Sequence, residues 1–146
     1  MVPAFNNEGE LPGGEHVCSM EEFKERFVYN GIREIIFGGL LKLTKDLIAI
    51  QCTMIYIGGS FVTDKNEPND IDVCWEDNDG IDWGLLDSDF QIFFDLDPPR
   101  SWQHNEYFAD VFPANIMEGS SGKLFKDFFK SNTETDNPKG VIKMRI

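Results

Sequence analysis

Positive charge is scarce in this chain: 13 Lys and Arg stand against 26 Asp and Glu, for a formal net charge of -13. From Asn66 to Pro99 there is no Lys or Arg at all, while Glu76, Asp77, Asp79, Asp82, Asp87, Asp89, Asp95 and Asp97 all fall there. Docking on a nucleic-acid backbone needs clustered cations, so tRNA and long DNA are disfavoured as substrates. A solvated face that aids solubility is the plain reading of the acids, and it favours a small or protein acceptor. Long apolar runs are also lacking: none approaches the roughly 20 residues that span a bilayer. The opening MVPAFNNEGELPGG has neither the positive segment nor the apolar core of a secretory signal. Cysteine is sparse, with Cys18, Cys52 and Cys74 far apart and in no metal-ligand spacing. They read as small, reduced, buried thiols, which points to a cytoplasmic protein.

What is present suits one folded domain over residues 1–146. Residues 1–19, punctuated by Pro3, Gly9, Pro12, Gly13 and Gly14, read as an irregular lead, with His16 a surface imidazole without a partner. Ser19 before Met20-Glu21-Glu22 is a good N-cap, and a helix is expected to about Val28. A second helix is expected from Gly31 to Ile50, with Ile32, Ile35, Ile36, Leu40, Leu43, Leu47 and Ile50 as its buried stripe. Within it Gly38-Gly39 either weakens the helix or allows close packing. A short helix is expected near Ile81–Leu86, and Phe90–Leu96 is open between a strand and the end of an acidic helix. Tyr107–Pro113 reads as a strand, Leu124–Lys130 as a helix, and Gly140–Ile146 as an edge strand whose Lys143 and Arg145 discourage pairing. The class is α+β: a small mixed sheet with the N-terminal helices packed on one side.

Two tempting motifs fail. Calcium-loop spacing breaks at Pro68 and at Ile81, where oxygen ligands are required. Gly119-Ser120-Ser121-Gly122-Lys123 is not a phosphate loop, because Met117 stands at the first glycine and Leu124 replaces the Ser or Thr.

The centre of the chain is MIYIGGSFVTDKNEPNDIDVCW, Met54 to Trp75. Met54–Ile57 reads as a short buried strand. It breaks at Gly58-Gly59-Ser60, where glycine lets the backbone turn tightly and come close to a ligand. Asp70-Ile71-Asp72-Val73 follows, and strand alternation puts both carboxylates on one face. Two aligned carboxylates repel unless a cation sits between them, and a hard, phosphate-seeking ion such as magnesium is the natural choice. The alternative reading of the same residues is a hairpin whose loop carries solvated acids.

The order strand, Gly-Gly-Ser, spacer, Asp-x-Asp resembles the signature of the DNA polymerase beta-like nucleotidyltransferases. The spacer Phe61–Asn69 is closest to the small, minimal members. The resemblance implies that Gly58, Gly59 and Ser60 hold the phosphates of a nucleoside triphosphate and that Asp70 and Asp72 hold two Mg2+ ions. It also implies a third carboxylate on a neighbouring strand, which completes the metal site and takes the proton of the incoming hydroxyl. Asp110 is the best match, and its alternative is an exposed Asp near a strand end. Lys65 is the nearest cation for the leaving pyrophosphate, with Arg100, Lys123 and Lys126 behind it. GSFVTDKNEPNDIDVCW, with the opening MVPAFNNEGELPGG, is also similar to a family of small bacterial and phage proteins of uncharacterised activity assigned to this fold.

The activity so implied is transfer of a nucleoside monophosphate, ATP being the favoured donor, to a hydroxyl. So short a chain has little room for a separate acceptor-binding domain, and a partner protein is the expected acceptor, as in antitoxins that nucleotidylate a toxin. The alternatives are a non-catalytic acidic interaction or antitoxin module on the same fold, and a transferase acting on a small hydroxylated molecule.

Overall fold

The computed structural model describes residues 2–86 and 89–146. Asp87, one of the acids in the lysine-free stretch, lies outside them. Helix α1 spans Met20–Phe27, and a capping box starts it: Ser19 Oγ accepts from the Glu22 N–H at 3.1 Å, and the Glu22 carboxylate accepts from the Ser19 N–H at 3.3 Å. Helix α2 spans Gly31–Ala49, with the Asn30 side chain accepting from the Arg33 N–H. Its inward face is Arg33, Ile36, Phe37, Leu40, Leu43, Thr44 and Leu47. Ile32 and Ile35, expected in the buried stripe, are 42% and 56% exposed. The 3.6-residue period that buries Arg33, Ile36 and Phe37 turns those two outward. Gly39 is the close-packing glycine, because a Cβ there would collide with the Tyr107 carbonyl, whereas Gly38 faces open space.

Five strands form one mixed open sheet in the order β1-β5-β2-β3-β4: β1 Gly14–Val17, β2 Met54–Gly58, β3 Ile71–Trp75, β4 Ala109–Pro113 and β5 Gly140–Arg145. β1 pairs parallel to β5 and β3 parallel to β4, while β2 runs antiparallel to both of its neighbours. This corrects two expectations. The lead is not wholly irregular, since its residues 14–17 form the edge strand, and β5 is interior rather than an edge. Pairing between the two ends of the chain is non-local, and the short GEHV segment carries no period that announces it. His16 does have a partner: its Nε2 lies 2.6 Å from the Pro12 carbonyl oxygen.

Alternation divides the sheet. Ile55, Ile57, Ile71, Val73, Trp75, Val111, Ile142 and Met144 join α1 and α2 in the main core, so the N-terminal helices pack on one side as expected. Tyr56, Cys74 and Phe112 belong to a smaller cluster with Phe125 and Phe129, which lie at either end of helix α4, Phe125–Phe128. Cys18, Cys52 and Cys74 are buried and unpaired. The segments expected as a short helix and as strand or helix both form single 3-10 turns, Trp83–Leu85 and Phe90–Phe94.

Helix α3, Ser101–Tyr107, was not expected, and it occupies the start of the segment read as a strand. It ends where Phe108 takes a left-handed conformation, φ 53°, and turns the chain into β4. Gln103 on α3 is fully buried; its amide donates to the carbonyls of Ile92 and Val111 and its Oε1 accepts from the Val111 N–H. That side chain satisfies the free side of edge strand β4 and fixes α3 over it. No helix among the described residues is long and apolar enough to cross a membrane.

Candidate functional site

The site forms where β2 ends and β3 begins, on the sheet face away from α1 and α2. Gly58, the last residue of β2, pairs with Asp72, and Asp72 pairs in turn with Asp110 on β4. Equal registers on adjacent strands point both carboxylates to one face. Asp70 stands just ahead of β3 and is brought to the same group. The three aspartates singled out in the sequence therefore meet.

Gly59 has φ 75°, and a Cβ there would run into the Asp72 carboxylate. Glycine is required for both reasons. Ser60 opens a 3-10 turn to Val62, closed by Thr63, whose N–H and hydroxyl both donate to the Ser60 carbonyl. Arg33 holds this loop from beneath. Its guanidinium is fully buried and donates to the carbonyls of Phe27, Phe61, Thr63 and Lys65, at 3.0, 2.7, 3.1 and 2.5 Å. It also stacks on Tyr29 and Phe61, 4.7 Å from each ring centroid.

Burial, then repulsion from Asp70 and Asp110, pushes the Asp72 carboxyl well above the usual carboxylate range. Asp70 is raised in the same way, by burial first and then by Asp110, with His104 and Lys65 opposing. His104, on α3, lies over the pair: its Nε2 is 2.7 Å from Asp110 Oδ1 and 3.8 Å from Asp70 Oδ2. One ligand atom from each of Asp70, His104 and Asp110 lies within 4.8 Å of the other two. Arg100 closes the far side, 3.6 Å from Asp110 Oδ1 and stacked over Phe112. Asp110 itself is only 15% exposed, so it is not a solvated strand-end residue.

Beside Asp72 and Gly59 opens a cavity of about 320 Å³, also walled by Phe128, Asn132, Thr133 and Lys139. A second, of about 350 Å³, meets Ser60 and Glu10 and shares Asn132 and Lys139 with the first. Lys139, whose Nζ lies 3.5 Å from Glu10 Oε2, thus stands between the Asp72 side and the Ser60 side. Lys65 lines neither cavity; it is exposed and acts on Asp70 from outside. Lys123 reaches Ser131 and Asp136, and Lys126 lies 5.9 Å from the Tyr56 ring centroid, so neither serves the glycine turn.

His104, Lys139 and Arg33 were missed in the sequence. His104 is six residues before Asp110, but the turn at Phe108 rather than any regular period brings them together. Lys139 follows Pro138 with no motif around it. An isolated arginine on the apolar face of α2 was the one legible signal for Arg33.

The carboxylate group offers the oxygen donors that divalent cations take, and the adjoining cavity is within the size range of small-ligand pockets. No curated protein and no solved structure matches the chain. Residues 3–145 match the model of the family of unknown function DUF6932, and the chain belongs to that family.

Proposed function

We propose that this protein is a divalent-ion-dependent nucleotidyltransferase that moves a nucleoside monophosphate from a nucleoside triphosphate, ATP favoured, to a hydroxyl of a partner protein. The observation that carries the reading is the row Gly58, Asp72, Asp110 across three adjacent strands, with Asp70 beside it and a cavity opening at Gly59 and Asp72. The oxygen-rich donor set of Asp70, Asp72 and Asp110 fits Mg2+, and two such ions are the expectation. When bound, they would neutralise the carboxylates and draw charge from the phosphoryl oxygens.

The chain's own groups have distinct work. The Gly59-Ser60 turn offers N–H and hydroxyl donors to the phosphates. Lys139, which lines both cavities, supplies the positive charge that Lys65, Lys123 and Lys126 are badly placed to give, while Arg100 faces Asp110. The acceptor oxygen bonds to the α-phosphorus, the bond to the pyrophosphate oxygen breaks, and the hydroxyl proton passes to Asp110. A cytoplasmic setting, with its nucleoside triphosphates, suits this chemistry. Every strand joins the single sheet, which leaves no separate acceptor-binding unit among the described residues. We take a partner protein as the acceptor.

Two expected outcomes follow from Lys139. Removing one charge-assisted contact costs about 1.5–3 kcal/mol, so Lys139→Ala should weaken nucleoside triphosphate binding by roughly tenfold to a hundredfold. Glu10→Gln, which frees Lys139 from its carboxylate, should tighten it. Titration with a fluorescent ATP analogue reads both, and unchanged affinity in the two variants would remove Lys139 from the site. The activity itself is tested with α-labelled ATP, GTP, CTP and UTP, a divalent ion and cell extract. Pyrophosphate release with label on a protein, lost in Asp110→Asn, is expected. Label on a small molecule would move the acceptor to the small hydroxylated class. No release from any triphosphate, or release undiminished in the variant, would overturn the reading.

A further inference from the structure

His104 adds a nitrogen donor to the carboxylate group. Magnesium takes oxygen ligands almost exclusively, whereas an imidazole nitrogen beside carboxylates suits first-row transition ions. Nε2 of His104 already sits 2.7 Å from Asp110 Oδ1 and 3.8 Å from Asp70 Oδ2. Ligands sharing one ion at about 2.1 Å stand roughly 3–4 Å apart, so small side-chain adjustments bring all three atoms onto one centre. The ring is carried by a held element, since Gln103 ties α3 to β4 and Gly39 seats the α3 end against α2. Arg100, 3.6 Å from Asp110 Oδ1, offers the outer-shell contact that orients a ligating carboxylate.

We infer that His104 Nε2 is a metal ligand together with Asp70 and Asp110, and that this site prefers a first-row transition ion, with Mn2+ as the probe, over Mg2+. The inference rests on the reading of Asp70 and Asp110 as metal ligands, and it assigns one of the two ions to a nitrogen-containing site. Mn2+ is the most demanding probe because its intrinsic affinity is the lowest of the transition series, so selectivity must come from the donor set.

The test is metal binding to the full chain, without nucleotide, by calorimetry and pulsed electron paramagnetic resonance. Wild type should bind Mn2+ at least about tenfold more tightly than Mg2+, and the bound Mn2+ should show hyperfine coupling to an imidazole nitrogen. His104→Gln should lose that coupling and weaken Mn2+ by about tenfold or more, the range that even an outer-shell change produces, with Mg2+ affinity little changed. The spectrum of wild type decides the matter even where the variant folds poorly. Mn2+ bound without nitrogen coupling, and lost in Asp70→Asn, would overturn the role of His104 while leaving the carboxylate site standing. No Mn2+ or Mg2+ binding to wild type would overturn both.

Discussion

Replacing Asp72 by asparagine is expected to lower nucleotidyl transfer by at least about a thousandfold, the effect of removing some 4 kcal/mol of charge stabilisation from a phosphoryl-transfer site. The same change should raise the melting temperature of the ligand-free protein at neutral pH. Burial makes the ionised form of Asp72 costly, and the carboxylates of Asp70 and Asp110 add repulsion. Its folded pKa is raised above that of the unfolded chain, so the folded state holds its proton longer and unfolding stability falls as pH rises through that interval. Asparagine removes the penalty. Below the ordinary carboxylate range, about 3.8, Asp72 is protonated in both states and the advantage of the variant disappears. Paired melting curves from pH 3 to pH 8 would show the gap opening with pH. A variant that is less stable at pH 7, or one that keeps its activity, would place Asp72 outside a charged metal site.

Arg33→Met should cause the largest loss of stability. The guanidinium satisfies four carbonyls, at Phe27, Phe61, Thr63 and Lys65, and three of these lie in the stretch that follows the Gly59-Ser60 turn directly. Methionine fills the space but leaves those acceptors without their donor, a cost of about 4 kcal/mol where several buried groups lose partners together. For a domain near 150 residues this amounts to a melting temperature lower by about 10 °C. Nucleotide affinity should fall as well, because Ser60 would rest on an untethered loop. A drop of only one or two degrees would mean that water replaces the guanidinium at little cost.

The part of the site that was legible in the sequence is the part made locally. Gly58-Gly59-Ser60 and Asp70-Ile71-Asp72 lie in one continuous stretch, and strand alternation is the local signal that pairs the carboxylates, although Asp70 itself stands just ahead of β3. Asp110 was legible because a single acid within an apolar strand needs a reason to be there. The N-cap at Ser19 was legible because its contact is only three residues long, whereas the like cap at Asn30 was not singled out. Contacts made by tertiary packing were not legible. The pairing of β1 with β5 joins residues 14–17 to residues 140–143, and no local pattern encodes it. His104 reaches Asp110 only because Phe108 turns left-handed and Gln103 pins α3. Lys139 enters the cavity from the far end of the chain. The cations were thus the hardest to place, since a long flexible side chain reports little of its destination.

The most direct measurement of the central claim, a working nucleotide and metal site at Gly59, Asp70, Asp72 and Asp110, is the melting temperature of wild type and Asp72→Asn with Mg2+ or Mn2+ and each nucleoside triphosphate. A ligand at a hundredfold excess over its dissociation constant stabilises the folded state by about 2.7 kcal/mol. In a domain of this size that is a rise of roughly 5–10 °C. Wild type should show that rise with one preferred nucleotide, only when the ion is present, and Asp72→Asn should show none beyond its own higher baseline. No shift with any of the four nucleotides, or an equal shift in the variant, would contradict it.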